Sequence, residues 1–317
     1  MAGDTVAFKN ILVMTDFSPA SDRMLRYAAG WARASGAMLH VAHFIRPMAY
    51  ALAGDAYGEL MNRLWQDGRE GLAALDQSEM LRDIPHATWL DPGEILDGLP
   101  SLISAHQVDL VLLASSGRRG VGKVLLGSTA EAVFRTTGCP VLIVGPGVAD
   151  ARLHAPGVVL LATDFGAAAQ RAAAYAFAVA RQRQAQLYLL HVLRPPAEDC
   201  SLCNAEVNAA QTRLLELAPP GARRAELNTI VHFGRPAEEI VKTARELTAD
   251  LVVLGARQPP KFSLYAGWAT AYEVLGDAPC PVLTLRAPGG QPDHAQTPQQ
   301  RAEGRDQTTG IAYNSAR

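Results

Sequence analysis

The sequence lacks the features that would place it at a membrane or on nucleic acid. Its 317 residues carry a formal net charge of -2, so no bulk charge attracts a polyanion, and any anion site must be local. No apolar stretch approaches the roughly 20 residues needed to cross a bilayer, and the N-terminus has no apolar core of the signal-peptide type. We therefore expect a cytoplasmic protein with no nucleic-acid or membrane partner.

Cysteine is scarce, with 4 residues in the whole chain. Cys139 and Cys280 lie in matching contexts, GCPVLIV and PCPVLTL, which predicts small buried residues at the entrance of a strand. Cys200 and Cys203 form a lone CxxC, whereas a structural zinc site takes about four ligands. His191 could supply a third ligand, but the pattern favours loop thiols over a metal or redox site. We predict no metal centre.

The chain contains one long internal repeat. ILVMTDFSPASDRMLRYAAGWAR in the first half recurs as VLLATDFGAAAQRAAAYAFAVAR in the second, with an offset of 148 between Phe17 and Phe165. Further on, VDLVLLAS recurs as ADLVVLGA and GCPVLIV as PCPVLTL, both at an offset of 141. Solenoid units repeat every 20 to about 50 residues, so a repeat with an offset of 141 to 148 residues is a whole domain.

Each copy alternates short apolar runs with amphipathic stretches, the pattern of βαβ units around a parallel sheet. This predicts an α/β fold of two tandem doubly wound domains. In the first copy the predicted strands are 11–14, 38–44, 87–90, 110–114 and 141–144, and the predicted helices are 21–35, 57–81, a segment within 92–106, and 128–136.

Periodicity lapses in the segment 145–157, which is rich in Pro, Gly and Ala. We place the boundary there, between a first domain at 1–148 and a second at 158–287. The final segment, 288–317, is polar and poor in large apolar residues, which predicts a disordered tail.

Ligands of an open parallel sheet bind beyond the carboxyl ends of the strands, where the strand order reverses. Two loops of the first copy fall there: TDFS from Thr15, and ASSGRRGVGKVLLGSTAEAVF from Ala114. Glycines of the second loop let backbone N–H groups approach an anion, and Arg118, Arg119 and Lys123 add positive charge. The loop ends at a helix start, where free N–H groups favour phosphate.

These loops resemble those of the universal stress protein family, whose ATP-binding members carry G-x2-G-x9-G-[ST] after the fourth strand. The first copy reads Ala114-x2-Gly117-x9-Gly127-Ser128, so Ala114 replaces the first glycine. Alanine is a mild change if that position uses only its backbone, but affinity falls if it needs a positive φ. The TDFS turn, a His-Phe pair ending the second strand and the CPVL of the fifth also match, and family-like sequence covers nearly all of residues 7–286.

The resemblance implies a five-stranded parallel sheet of order 3-2-1-4-5 in each domain, with helices on both faces. It also implies fifth strands that pair the two copies as an intramolecular pseudo-dimer, or pair chains as a homodimer. It implies ATP, with or without Mg²⁺, as the cofactor of the first domain, with Asp16 and the backbone of Phe44 against adenine and ribose. The contact residues implied in this way are Thr15, Asp16, Phe44, Ala114, Ser115, Gly117, Arg118, Gly127, Ser128 and Thr129.

Two other interpretations of the same loop stay open. Gly117 to Lys123 fits GxxxxGK, the start of a Walker A loop, but Val124 lacks the hydroxyl that binds magnesium, and a P-loop follows the first strand of its domain. Ser128 and Glu131 form a capping box, which could serve only to start a helix. Capping does not explain the glycine spacing, so nucleotide binding is favoured.

The second copy has lost the phosphate loop. At the offset of 141, Gly255, Gln258, Trp268 and Ala269 replace Ala114, Gly117, Gly127 and Ser128. Pro259 and Pro260 have no N–H to donate, whereas Thr270 and Glu273 still predict a helix start. We expect one nucleotide per chain, with Asp164 and Val192 persisting on the adenine side of the second copy.

No residue set argues for an efficient enzyme, and we predict no catalytic residue. His43 could act as a base, but His191 takes its place in the copy without a phosphate loop, which favours a structural role for both. We expect a stress-response protein that binds ATP in its first domain and acts as a nucleotide-dependent regulatory or interaction module with an unknown protein partner. A weak ATPase or phosphotransferase and a nucleotide-free interaction scaffold are the alternatives.

Overall fold

The computed structural model describes residues 8–45, 57–114, 119–120, 123–124, 128–145, 147–150, 153, 155–195, 203–222, 227–256 and 269–286. The predicted disordered tail lies outside these residues, and the domain limits 1–148 and 158–287 stay predictions. Within the described part of the chain, no helix is long and apolar enough to cross a membrane.

The elements alternate between strands and helices, as the periodicity predicts. In chain order they are β1 (Asn10–Met14), α1 (Pro19–Ser35), β2 (Met38–Phe44), α2 (Tyr57–Asp76), β3 (His86–Asp91), α3 (Ile95–Ala105), β4 (Leu110–Ala114), β5 (Arg119–Gly120), β6 (Lys123–Val124), α4 (Ser128–Thr136), β7 (Val141–Val144), β8 (Val158–Ala162), α5 (Ala169–Arg183), β9 (Gln186–Leu193), α6 (Cys203–Glu216), β10 (Asn228–Phe233), α7 (Pro236–Glu246), β11 (Leu251–Ala256), α8 (Ala269–Asp277) and β12 (Val282–Arg286).

Two helix ends differ from the prediction, and two strands are longer than predicted, with β1 beginning at Asn10 and β3 spanning His86–Asp91. α1 begins at Pro19 because Ser18 caps it, its hydroxyl accepting from the Ser21 N–H at 3.2 Å. α2 ends at Asp76 rather than at 81, because Ser78 turns the chain. The hydroxyl of Ser78 donates to the Leu75 carbonyl at 2.7 Å, which diverts that carbonyl from a continuing helix.

Ten strands form one mixed sheet in the order β10-β9-β8-β11-β12-β7-β4-β1-β2-β3, and β5 pairs with β6 apart from it. The pairings inside each half are parallel, so the halves have the orders β3-β2-β1-β4-β7 and β10-β9-β8-β11-β12. Both are the 3-2-1-4-5 arrangement, which confirms the predicted fold class.

The two halves join through their fifth strands. β7 and β12 pair antiparallel, with Val141 opposite Thr284 and Ile143 opposite Val282. The hydroxyl of Thr284 donates to the Val141 carbonyl at 3.0 Å across this seam. Both strands are buried along their whole length. The pairing removes two apolar edges, each of which would otherwise attract another strand. The predicted intramolecular pairing of the two copies is therefore confirmed.

Helices cover both faces of the sheet, and each layer continues across the seam. α1, α2, α5 and α6 share one hydrophobic cluster, and α3, α4, α7 and α8 share the other. Strand β1 is apolar throughout because both of its faces are buried: Ile11 and Val13 pack into the first cluster, and Leu12 packs into the second. The strand order reverses between β1 and β4, so the carboxyl ends of these two strands define the crevice of the first half.

Candidate functional site

The turn after β1 is fixed by its own short polar side chains. The Thr15 hydroxyl accepts from the Phe17 N–H at 3.0 Å, and Asp16 Oδ1 accepts from the Ser18 N–H at 3.0 Å. Phe17 between them takes a left-handed φ of 59°. This residue is not glycine, so the conformation is strained, and the hydrogen bonds of the turn hold it.

His43 joins this turn to β2. Its Nδ1–H donates to the Thr15 carbonyl at 2.8 Å, which leaves Nε2 as the unprotonated nitrogen of the neutral ring. The Phe17 ring lies against the imidazole, with 4.6 Å between centroids. His43 therefore has a structural contact, and Phe44 follows it at the end of β2. The predicted residues Thr15, Asp16 and Phe44 thus meet at one edge of the sheet.

Asp16 presents an exposed carboxylate at this edge. Burial raises its pKa, but the hydrogen bonds from Ser18 and Ser21 together outweigh burial, so the pKa lies below the ordinary value of 3.8. The side chain is ionised at neutral pH. An ionised, exposed carboxylate can accept from an amino or hydroxyl group of a ligand, or hold a divalent cation.

The second loop begins and ends in the same region. Val13 pairs with Leu112, so Thr15 and Ala114, each two residues further on, lie at the same end of neighbouring strands. Ser128 is the first residue of α4, and Thr129 is the second. The predicted contacts Ser115, Gly117, Arg118 and Gly127 lie outside the described residues. The loop follows the fourth strand of its half, which is not the place of a Walker A loop.

The second half repeats the first turn in detail. The Phe165 N–H donates to the Thr163 hydroxyl at 3.0 Å, and Phe165 has a φ of 56°. His191 Nδ1–H donates to the Thr163 carbonyl at 2.8 Å, and its ring lies 4.4 Å from that of Phe165. Asp164 again accepts from the second residue along, Gly166, at 2.7 Å. The matched histidines therefore share a structural role.

One contact separates the two turns, and the sequence analysis missed it. In the first half, a Cβ on Gly71 of α2 would come within 2.6 Å of the Phe17 ring, so glycine is needed for their contact. In the second half, the Arg213 guanidinium carbon lies 4.0 Å from the centroid of the Phe165 ring. Phe17 keeps 39% of its surface exposed, whereas Phe165 is partly buried and less exposed than Phe17. No local pattern reveals this difference, because it depends on how each helix packs on its turn.

The degenerate loop of the second half falls mostly outside the described residues, including Gln258, Pro259, Pro260 and Trp268. Gly255 near the end of β11 packs closely, since a Cβ there would lie 3.0 Å from the Ala168 Cβ. α8 begins at Ala269, which confirms that a helix starts after this loop. The loss of phosphate binding stays a prediction.

The prediction of a buried cysteine at each strand entrance is confirmed for Cys280 but not for Cys139. Cys280 is fully buried, and the half-buried Cys139 donates its thiol to the Val108 carbonyl at 3.4 Å. Burial raises the pKa of the Cys139 thiol to about 12, so it stays protonated. Cys200 lies outside the described residues, and only the backbone of Cys203 is described, at the start of α6. The alternatives for that pair stay open.

Fold and site together define a class: a tandem doubly wound α/β protein with a crevice at the switch point of its first half. The sequence profile of the Universal stress protein family matches residues 7–145 and 157–286. The chain therefore belongs to the universal stress protein family, with two such domains in tandem.

Known proteins of the family match one or both domains. A universal stress protein of Mycobacterium tuberculosis is 27% identical over 197 residues, a match that spans 59% of this chain and 65% of that protein. One from Thermus aquaticus is 35% identical over 136 residues, spanning 40% of this chain and 97% of that protein. The crystal structure of a universal stress protein from Archaeoglobus fulgidus has a TM-score of 0.68 at 22% identity, covering 88% of this chain and 98% of that one. At this identity the likeness establishes the fold.

Two further structures of universal stress proteins were solved with nucleotides, each matching less than half of this chain. One is a complex with cAMP, 27% identical with a TM-score of 0.33, covering 44% of this chain and 97% of that one. The other, from Archaeoglobus fulgidus, is a complex with dAMP, 22% identical with a TM-score of 0.30, covering 40% of this chain and 94% of that one. These ligands are properties of those proteins.

Proposed function

We propose that the first domain binds ATP and that the chain acts as a nucleotide-dependent regulatory or interaction module rather than as an efficient enzyme. The observation that carries the proposal is the meeting of three predicted positions at one edge of the sheet: the Asp16 turn, the end of β2 at Phe44, and the end of β4 at Ala114. The turn is already ordered by its internal hydrogen bonds, so binding costs little rearrangement there.

The phosphate contacts in this proposal come from the loop sequence and the start of α4. Gly117 and Gly127 would let backbone N–H groups approach the phosphates, and Arg118 would add positive charge. The N-terminus of α4, at Ser128 and Thr129, would supply free N–H groups and the positive end of the helix dipole. Ala114 stands at the end of β4, where its backbone would lie beside the nucleotide.

One observation favours a second function, slow hydrolysis of the bound ATP. Asp16 is exposed and ionised, so it could hold Mg²⁺ against the phosphates. Its chemistry would then be charge neutralisation on the phosphates, and we assign His43 no catalytic role, because His191 makes the matching contact in the copy without a phosphate loop. We expect any turnover to be slow for that reason.

Calorimetric titration of the full chain with ATP tests the proposal. We expect one site per chain, with binding abolished by Gly127→Val and preserved by Gly138→Val, where an added Cβ meets nothing within 4 Å. Ser128→Ala removes one neutral hydrogen bond and should weaken binding by about 2- to 10-fold. If Gly127→Val binds as tightly as the parent, the proposed site is wrong.

The two turns supply a second matched pair. Asp16→Asn should weaken ATP binding, because the first domain loses its carboxylate, whereas Asp164→Asn changes the same turn in the other domain and should leave binding unchanged. Two equal sites, or an equal loss in both variants, would contradict the assignment to the first domain. Mass spectrometry of the natively purified protein separates the functions: ATP supports binding, ADP with turnover supports hydrolysis, and an empty chain supports a nucleotide-free scaffold.

A further inference from the structure

Arg286, the last residue of β12, buries its side chain at the junction of the two domains. Only 8% of the residue is exposed, and its guanidinium donates to the Phe134 carbonyl of α4, in the first domain, at 2.5 Å. Burial lowers the pKa of Arg286 to about 10, and the Tyr272 phenol acts in the opposite direction, so the guanidinium keeps its charge at neutral pH. A buried cation is costly unless a partner compensates it, so this contact requires a reason.

The contact falls at the end of α4 that has carbonyls to offer. α4 ends at Thr136, so Phe134 lies in its last turn, where carbonyls lack partners within the helix. The Val133 carbonyl accepts from the Thr137 N–H at 3.0 Å, and the next carbonyl, that of Phe134, accepts from Arg286. A cation at this end also meets the negative pole of the helix dipole. Arg286 is therefore a cap on α4 that the other domain supplies.

Arg286 is itself held within the second domain. Its backbone pairs with Ala256 of β11, and its carbonyl accepts from the Arg171 guanidinium of α5 at 2.9 Å. The side chain that holds α4 thus extends from a fixed point of the second domain.

The pseudo-symmetric position lacks this side chain. At the offset of 141, Gly145 and Leu275 correspond to Arg286 and Phe134. A Cβ on Gly145 would lie 2.6 Å from the Leu275 carbonyl oxygen of α8, so that helix lies directly against backbone. α8 follows the loop that has lost the phosphate motif, whereas α4 follows the loop that keeps most of it. The guanidinium contact therefore occurs only on the helix that carries the predicted phosphate contacts.

We propose that Arg286 is a positioning residue of the ATP site in the first domain, an inference that rests on the function proposed above. Ser128 and Phe134 lie about 9 Å apart along one continuous helix, so holding one end of this short rod also sets the other. Ala130 and Val133 pack α4 on the sheet through apolar contacts, which have no direction, whereas the hydrogen bond from Arg286 fixes one point of the helix. The free N–H groups at the start of α4 are thereby held in place for the phosphates, and the second domain completes the site of the first.

Calorimetric titration of the full chain with ATP tests this role in Arg286→Met, which keeps an aliphatic side chain but loses every donor. We expect one site per chain, as in the parent, with a Kd raised by about 3- to 30-fold. Arg286→Lys restores a charged donor without the planar fork and should recover part of the affinity. Thr284→Val is the matched control, because it removes a hydrogen bond of the same seam, to the Val141 carbonyl of β7 rather than to α4, and its Kd should equal that of the parent.

Affinity and stoichiometry together separate positioning from folding. A merely structural role would lower the fraction of folded chains, which circular dichroism and the stoichiometry both report, and would leave the Kd of the folded chains unchanged. If Arg286→Met does not fold, Arg286→Lys and Thr284→Val still decide the question, because only the first should raise the Kd.

Two results would overturn the inference while the parent still binds ATP: an unchanged Kd in the folded Arg286 variants, or an equal rise of the Kd in Thr284→Val. A parent that binds no ATP would overturn the proposed function itself, and this inference with it.

Discussion

Protonation of the buried His40 should destabilise the first domain in mild acid. His40 is only 4% exposed on β2, where its Nδ1 accepts from the Trp89 indole N–H at 3.2 Å and its ring lies 5.2 Å from that of His106. Burial, and to a smaller degree the charge of His106, lowers the pKa of His40 from 6.5 to about 4. Proton binding at Nδ1 would also remove the acceptor of Trp89.

The sign and the size follow from this pKa. The unfolded chain binds a proton at His40 near pH 6.5 and the folded chain only near pH 4, so stability is full above that interval and is lost as the pH falls through it. The whole shift corresponds to about 3 kcal/mol, of which about 2 kcal/mol would be lost by about pH 5. Because solvent screening reduces the effect of such a pKa shift on stability, we expect the free energy of unfolding to fall by about 1 to 2 kcal/mol at pH 5.

Guanidinium chloride unfolding at pH 7.5 and pH 5 measures this loss as a change in the free energy of unfolding. His40→Gln removes the titrating group, so its free energy of unfolding should fall less than that of the parent over this interval. Trp89→Phe removes the indole donor and leaves the imidazole buried, so it should keep most of the loss, because burial is the larger cause.

The comparison of the variants decides whether the reasoning holds. Equal losses in the parent and in His40→Gln would show that other groups account for the pH dependence. A loss that disappears in Trp89→Phe would show that the hydrogen bond, rather than burial, lowers the pKa of His40.

Two further predictions concern glycines, each read from thermal or chemical unfolding. Gly71→Ala would place a Cβ 2.6 Å from the Phe17 ring and should lower the free energy of unfolding by about 1 kcal/mol, whereas Gly30→Ala, with open space around it in α1, should raise it by about 0.5 to 1 kcal/mol. Gly145→Ala would place a Cβ 2.6 Å from the Leu275 carbonyl oxygen across the domain junction, and because backbone cannot yield as a side chain does, we expect a loss of about 1 to 3 kcal/mol. A stabilising Gly145→Ala would contradict the close approach of the two halves.

The strands could be predicted from the sequence because burial on both faces requires an uninterrupted run of apolar residues. Ile11, Leu12 and Val13 are all fully buried, alternately on the two faces, so an uninterrupted apolar run was required. The pairing of β7 with β12 followed from two apolar runs that could not be left as exposed edges, together with the family resemblance. Both features depend on runs of neighbouring residues that recur in the two copies, so they can be recognised in the sequence.

The contacts that distinguish the two crevices could not be predicted from the sequence. Phe17 meets Gly71, and Phe165 meets Arg213, only because α2 and α6 pack where they do on the turns. The grouping of His40 with Trp89 and His106 is likewise a tertiary contact between distant segments. The first turn is different, because the TDFS motif itself indicated Asp16, although the Ser18 cap was not predicted.

The antiparallel seam has a consequence for how the two domains can communicate. Within each half the strands are parallel, so an antiparallel junction sends the carboxyl ends of the two halves to opposite edges of the sheet. The turn at Asp16 and the turn at Asp164 therefore open at opposite edges, and a ligand in one crevice cannot reach the other.

The helices beside the seam provide the contact that the crevices lack. α4 begins at the end of the first domain's loop, and its Phe134 packs edge to face on Tyr272 of α8 with 5.8 Å between ring centroids. β6, within the same loop, also packs against α8. α8 begins directly after the degenerate loop of the second domain. A shift of α4 on nucleotide binding would therefore move the side chains that contact α8. If only the first domain holds a nucleotide, as we propose, the second domain is placed to sense the state of the first.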